Sequence, residues 1–359
     1  MNIKYRKEIN NMQPYVPGKP IEDVQKELGL KDVIKLASNE NPHGCSPMAK
    51  EAIKQELDNL AYYPDGNTGR LRSNLSSFLN VDEDQLIFGA GSDEIIGILA
   101  EVFLCPGDEL LTSDQSFPRY DSAAHLMGAK IVKTPLTNYT YDLNAMKEQV
   151  SKKTKLVILA NPNNPTATYF TSSSLEDFLD FLPDNVMLVL DEAYYEYVDA
   201  KDYPKSLELL EKHSNIIILR TFSKAYGLAS LRVGYGIASA EIIELLNRVR
   251  NPFNVNSLAQ QAAIASLKDQ DFVNKAVKLN KEVKEYIYGE FDKLNIEYLP
   301  SQANFIMFNA KRPSLELFEA LQERGFIIRP AFGVPNWVRV TLGTMEQMEA
   351  FIETLKEIY

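Results

Sequence analysis

A lysine set among hydroxyls, with an arginine a few residues on, is the grouping in this chain best equipped for covalent chemistry. It lies in Thr221 to Gly236, TFSKAYGLASLRVGYG. The run IIIL just before it (216–219) is apolar and largely β-branched, the pattern of a buried strand. Lys224 therefore emerges from a strand end, flanked by Thr221 and Ser223, with Arg232 beyond a stretch of small residues. Its amine could condense with an aldehyde while the hydroxyls and the guanidinium hold a phosphate. A single lysine in such a loop is more often a solvated charge. The weight falls on what else the chain brings to the same place.

Four further turns carry suitable groups. GAGSDE places Gly89, Gly91 and Ser92 at a strand-to-helix junction, where free N–H groups and the helix dipole favour a phosphate. It is no dinucleotide fingerprint, because Glu94 stands where the third glycine belongs, and no Walker loop follows; a plain tight turn is its ordinary reading. NPNNPT sets Asn161, Asn163 and Asn164 between prolines, where asparagines ordinarily hold a turn. Asp191 ends the apolar run VMLVL, and a carboxylate there is costly unless a cation or several donors meet it. A helix cap or a structural ion pair would also satisfy it. Tyr194, three residues later, can point to the same spot. Phe117 and Tyr120 can offer an aromatic face to a planar ligand or simply pack in the core. Together these groups ask for one ligand: planar, with a phosphate, a protonatable ring nitrogen, a phenolic oxygen and an aldehyde. Pyridoxal 5′-phosphate fits, with Asp191 keeping the pyridine nitrogen protonated and Lys224 forming the Schiff base.

Regular elements must position these groups. LIF (86–88), ELLT (109–112), LVILA (156–160), VMLVL (186–190) and IIIL (216–219) each run into a polar turn. Strands alternating with helical patterns predict a mostly parallel sheet covered on both faces, and ligands bind at the carboxyl edge of such a sheet. From about residue 257 the pattern changes. A long helical stretch (257–294) leads to IEYL, NFIMF, a helix near 313–324, FIIR, WVRVTL and a final helix from 345. The expectation is an α/β large domain over 36–256 and a smaller α+β domain over 257–359. An N-terminal arm over 1–35, with a short helix near 21–28, packs on the small domain or on a partner subunit. SPMAKEAIKQEL begins with Ser-Pro, a helix-start signal. Tyr63 precedes Pro64 and is expected in extended backbone, with surface packing as its ordinary role.

Composition narrows the function classes. The chain has 359 residues, 45% hydrophobic and 24% charged, ordinary for a globular protein with one large and one smaller domain. Its net charge of −11 (38 basic minus 49 acidic residues) argues against nucleic-acid and anionic-membrane partners. A few arginines in a cleft can still bind a small anion. Cys45 and Cys105 cannot make a disulfide framework, so a cytoplasmic setting is expected. No apolar run is long enough for a membrane span, and the three histidines show no metal-ligand spacing, so no metal is expected.

The order GAGSDE, SFPRY, NPNNPT, DEAY, TFSKAYGLASLRVGY and WVRVTLGT resembles the fold type I pyridoxal-phosphate aminotransferases along essentially the whole chain. The opening QPYVPGKP, with KLASNENP, is most similar to the histidinol-phosphate aminotransferase branch. The resemblance implies that Lys224 is the Schiff-base lysine and proton shuttle, Asp191 the partner of the ring nitrogen, and Asn164 and Tyr194 the partners of the phenolic oxygen. It implies a phosphate site built from Ser92 and Asp93 backbone groups, Thr221, Ser223 and Arg232. Phe117 would stack on the ring with Tyr120 close by. Tyr63 would reach in from the other subunit of a homodimer with shared sites. Arg339 and Arg329 would bind the substrate's anionic groups, with Asn164 and, at the pocket edge, Tyr15. The implied activity is histidinol-phosphate:2-oxoglutarate amino transfer in histidine biosynthesis. Aromatic-amino-acid aminotransferases and threonine-phosphate decarboxylases share the scaffold and stay open, as does a non-catalytic binding protein of the same fold. Ala167 and Ser230 stand where the family tends to have glycine. If position 167 needs a positive φ, alanine costs about 1 kcal/mol there.

Overall fold

The aliphatic runs become strands wherever both faces of the pleat are covered. The computed structural model of the chain describes residues 3–12, 14, 19–331 and 333–359. A two-residue strand, β1 (Ile34–Lys35), precedes a main sheet of β2 (Leu86–Gly89), β3 (Glu109–Ser113), β4 (Lys130–Thr134), β5 (Thr154–Ala160), β6 (Met187–Asp191), β7 (Ile216–Thr221) and β8 (Gly234–Ile237). The sheet order is β2-β8-β7-β6-β5-β3-β4. Neighbours are parallel except where β8 runs against both β7 and β2. Strands β6 and β7 are buried throughout, as β5 is apart from Lys155. Each fully buried Ile, Leu or Val there contributes about 1.5–3 kcal/mol relative to exposure.

Two strands lack the signal that betrays the others. In β8, GYGI, the glycines are demanded by crowding: a Cβ at Gly234 would lie 2.4 Å from the Ser92 nitrogen. Strand β4, KIVKT, is a half-exposed edge whose lysines suit a border that must not pair further.

The C-terminal part differs from expectation in three places. The long helix is two, Ser257–Lys268 and Gln270–Lys293, broken at Asp269, whose carboxylate accepts from the Phe272 N–H (3.3 Å) and from Ser46 Oγ (2.5 Å). IEYL forms only an isolated bridge, Tyr298 to Phe308. FIIR divides between β10 (Phe326–Ile327), which pairs with β1, and β11 (Arg329–Pro330). Strand β11 lies beside β12 (Trp337–Thr341) in an antiparallel sheet completed by β9 (Phe305–Asn309). The early segment is stitched into this part: Ile34 N–H donates to Gly325 O, Leu36 N–H to Ile327 O, and Thr341 N–H to Leu36 O, at 2.7, 2.7 and 2.8 Å. Val24, from the helix Ile21–Leu28, is buried with Ala37 and Ile327.

Candidate active site

The carboxyl edge of the main sheet gathers an anion receptor. The helix Ser92–Phe103 starts at Gly91 (φ 81°) without a side-chain cap, so its first-turn N–H groups stay available to a ligand. The two acids of that turn are engaged elsewhere. Asp93 pairs with Arg119 Nε at 3.0 Å, and Glu94 Oε2 accepts from the Ala90 N–H and Asn254 Nδ2 at 2.6 and 2.7 Å. Arg232 has a left-handed backbone (φ 55°), and its Nη1 donates to Ser223 Oγ (3.3 Å) and Ala229 O (3.1 Å). Its guanidinium closes on Gly91, where a Cβ would meet Nη2 at 2.5 Å. The Ser223 N–H donates to Thr221 Oγ1 (3.1 Å). Free helix N–H groups, hydroxyls and a guanidinium in one cradle suit a phosphate.

Asp191, at the end of β6, is 6% exposed. Its Oδ2 accepts from Tyr120 OH at 2.7 Å and its Oδ1 from the Ala193 N–H at 3.2 Å. Burial nonetheless pushes the carboxyl up to about 6, which marks a charge still short of a cation. Tyr120 thus serves Asp191 through its hydroxyl, while its own ring is buried and edge-on to Phe117. Phe117 and Tyr120 line a cavity of about 110 Å³ with Thr112, Ser116, Lys133 and Gly333. The neighbouring Glu192 faces the other way, ion-paired to buried Arg220 at 2.8 Å.

Lys224 faces the same space. Its Nζ donates to Ser38 O (3.1 Å) and lies 5.7 Å from the Tyr194 ring centroid. Burial, with Arg339 and Arg232 nearby, pushes the amine down to about 8, so a useful fraction is neutral and nucleophilic near physiological pH. Tyr194 OH accepts from Asn39 Nδ2 at 2.9 Å. Arg339 is held by two acceptors, Asn164 Oδ1 (2.6 Å) and Ala37 O (2.5 Å). Arg329 is its cross-strand partner and is half-buried. Three successive carbonyls, of Ala37, Ser38 and Asn39, thus meet Arg339, Lys224 and Asn304 respectively. Sequence reasoning passed over Asn39, whose signal is an asparagine fit for a left-handed backbone (φ 54°) just after a strand.

The remaining expected residues divide. Tyr63 stands apart, 82% exposed and stacked on Phe253 (centroids 4.7 Å). Tyr15 lies outside the described residues. Ala167 does take a left-handed backbone, φ 59°, and is fully buried. The conformation costs about 1–2 kcal/mol. The buried methyl returns about 0.8 kcal/mol and alanine's stiffer unfolded chain about 0.5–1, so the position is near balance. Ser230 sits exposed in the 3-10 turn Ala229–Leu231, where serine fits without penalty.

The lysine loop itself depends on Gly227 (φ 71°), where a Cβ would fall 1.8 Å from Gly44 O. Backbone on both sides leaves no flexible group to give way. Gly227→Ala is expected to destabilise the fold by about 3 kcal/mol or more. Urea unfolding checks this; a loss under about 1 kcal/mol would mean the loop relocates freely.

An amine with a lowered pKa, a buried acid short of a cation and a phosphate cradle at one sheet edge fit pyridoxal 5′-phosphate. The sequence signature of the aminotransferase class I and II family matches residues 31–355, and the chain belongs to that family: it is a pyridoxal-phosphate-dependent aminotransferase of fold type I. It is 50% identical to the histidinol-phosphate aminotransferase of Moorella thermoacetica over 99% of this chain and 93% of that one. It is 47% identical to the histidinol-phosphate aminotransferase of Bacillus subtilis strain 168, over 99% and 100%. Among solved structures, the histidinol-phosphate aminotransferase of Sinorhizobium meliloti in complex with pyridoxal-5'-phosphate matches with a TM-score of 0.91. It is 26% identical, and the match covers 99% of this chain and 98% of that one.

Proposed function

We propose that this aminotransferase moves an amino group between glutamate and imidazole-acetol phosphate, as a histidinol-phosphate:2-oxoglutarate aminotransferase of histidine biosynthesis. The observation that carries amino transfer is the Lys224 amine, buried over the Tyr194 ring with its pKa lowered to about 8 by burial and the nearby, pre-oriented Arg339. Near-full-length identity to histidinol-phosphate aminotransferases supports the choice of substrate.

Pyridoxal 5′-phosphate, when bound, supplies an electron-withdrawing ring that stabilises negative charge at the substrate Cα. Around it this chain's residues divide the work. The backbone N–H groups of Ser92 and Asp93, with Thr221, Ser223 and Arg232, would hold the phosphate, and Asp191 would face the ring nitrogen as an anion. Phe117 covers the ring face, and Asn164 and Tyr194 serve the phenolic oxygen. Lys224 would hold the cofactor and, with its amine free, would take the proton from the substrate Cα and return it on the product side. Arg339 and Arg329 bind the substrate's anionic groups; acceptors already fix Arg339, so little ordering is left for binding. In this reading residues 36–256 form the cofactor domain, while 257–359 and the arm form the domain that meets the substrate.

Kinetics with a panel of acceptors test the assignment. With glutamate as donor, imidazole-acetol phosphate is expected to exceed phenylpyruvate in kcat/KM by about 100-fold, or about 2.7 kcal/mol. Parity would favour the aromatic-amino-acid reading, and carbon dioxide release from threonine phosphate the decarboxylase.

The proposal includes a cytoplasmic homodimer. Leu57, Leu60, Tyr62, Tyr63 and Phe253 are large, apolar and exposed, and a two-fold interface would bury such a patch reciprocally. No helix among the described residues is long and apolar enough to cross a membrane. Tyr63 would then complete the neighbouring subunit's phosphate site. Tyr63→Phe is expected to weaken cofactor retention. Mixing Tyr63→Phe with Lys224→Ala chains should restore activity, because one site of each heterodimer carries neither lesion. Activity equal to the sum of the separate mutants, after confirmed subunit exchange, would show that Tyr63 does not act across an interface.

A further inference from the structure

Asn39 is fully buried, in a left-handed backbone, and every polar atom it has is committed. Its N–H donates to Thr341 Oγ1 at 2.9 Å. Thr341 Oγ1 donates in turn to Asn39 Oδ1 at 3.0 Å. With Oδ1 occupied by a donor, the amide has one orientation left, and Nδ2 points at Tyr194 OH, 2.9 Å away. The Asn39 carbonyl accepts from Asn304 Nδ2 at 3.0 Å, which fixes the residue from the other side.

The donor count decides what Tyr194 can do. A phenol has one hydrogen and acceptor lone pairs. Because Asn39 fills an acceptor site, the phenol's hydrogen is not used on Asn39 and is left to donate into the cleft. If the amide were reversed, Oδ1 would face Tyr194 and capture that hydrogen. The orientation is therefore set by one hydroxyl, on Thr341, 302 positions along the chain.

We propose that Asn39 and Thr341 are positioning residues that aim the Tyr194 hydroxyl hydrogen at the cofactor's phenolic oxygen. The inference rests on the assignment of Tyr194 to that oxygen made above. A hydrogen bond donated there favours the anionic oxygen, and with it the deprotonated form of the bound chromophore. Losing the donor raises the pH at which the chromophore's visible absorbance titrates. The chromophore's titration is read on the resting holoenzyme and needs no turnover to be seen.

The test is spectrophotometric pH titration of holoenzyme variants at saturating pyridoxal 5′-phosphate. Tyr194→Phe calibrates the full effect, expected at about one pH unit, a tenfold change equivalent to about 1.4 kcal/mol. Thr341→Val keeps shape and charge but removes the hydroxyl, and should raise the midpoint by at least half the Tyr194→Phe shift. Thr341→Ser restores the hydroxyl and should return the midpoint to wild type. Asn39→Gly tolerates the left-handed backbone and deletes the amide that aims the phenol without leaving an acceptor to capture its hydrogen, so it should raise the midpoint by a smaller part of the Tyr194→Phe shift even if the valine protein folds poorly. Wild-type midpoints in Thr341→Val and Asn39→Gly, with a shifted Tyr194→Phe, would overturn the inference alone. Loss of the rescue in Thr341→Ser would also overturn it, by reducing the threonine to a packing role. An unshifted Tyr194→Phe would overturn the Tyr194 assignment and this inference with it.

Discussion

Lys224→Ala is expected to lower transamination by roughly 10⁴-fold, the upper range of what a positioned proton-transfer group contributes, while the fold and non-covalent cofactor binding persist. The side chain makes one hydrogen bond, to Ser38 O, and its burial already works against its own charge. Truncation therefore removes a reactive group without stranding a buried partner ion. The check is steady-state turnover without added amines, alongside thermal unfolding and cofactor titration. Turnover near wild type would remove Lys224 from the chemistry altogether. A small free amine supplied in solution should recover part of the loss, since only the proton carrier is missing.

Asp191→Asn is expected to reduce kcat at saturating cofactor by roughly 10²-fold or more, with a smaller change in cofactor affinity. The site can accept the amide sterically. Its oxygen can take the Ala193 N–H, and Tyr120 OH can turn to accept from the new NH₂ group. What the amide cannot supply is the negative charge that keeps a ring nitrogen protonated while electron density moves onto the ring. The loss thus falls on the transition state rather than on binding. A fall of less than about tenfold, roughly 1.4 kcal/mol, would rule out that role for Asp191.

Much of the site was legible because strand ends announce themselves. IIIL before Lys224, VMLVL before Asp191 and LIF before Gly89 are apolar runs that stop at polar turns, and the structure brings their ends to one edge of the sheet, β6 beside β7 and β2 across β8. The misses share a cause, namely information held by distant partners. GYGI gives no apolar run because the helix start at Ser92 leaves no room for side chains at Gly234. FIIR is continuous in sequence but serves two sheets. Tyr120 reads as a ring, and only its distance to Asp191 reveals a hydroxyl donor. Asn39 reads as one polar residue in a turn until Thr341 and Asn304 arrive beside it.

The carbonyls of Ala37, Ser38 and Asn39 also bear on the order in which the enzyme is made. Synthesis releases these residues early, but Arg339 and Asn304, which bind two of those carbonyls, emerge near its end. The main sheet closes once β8 has left the ribosome, and domains generally fold as units in that order. Bridging so long a span adds little thermodynamically, because closure entropy grows only logarithmically with length. In time, however, the wait is nearly the whole of translation. A nascent chain can carry a finished main sheet and its lysine loop while the carbonyls of Ala37 and Asn39 still lack their partners. The Ala37 carbonyl meets Arg339 only when the last strand is in place.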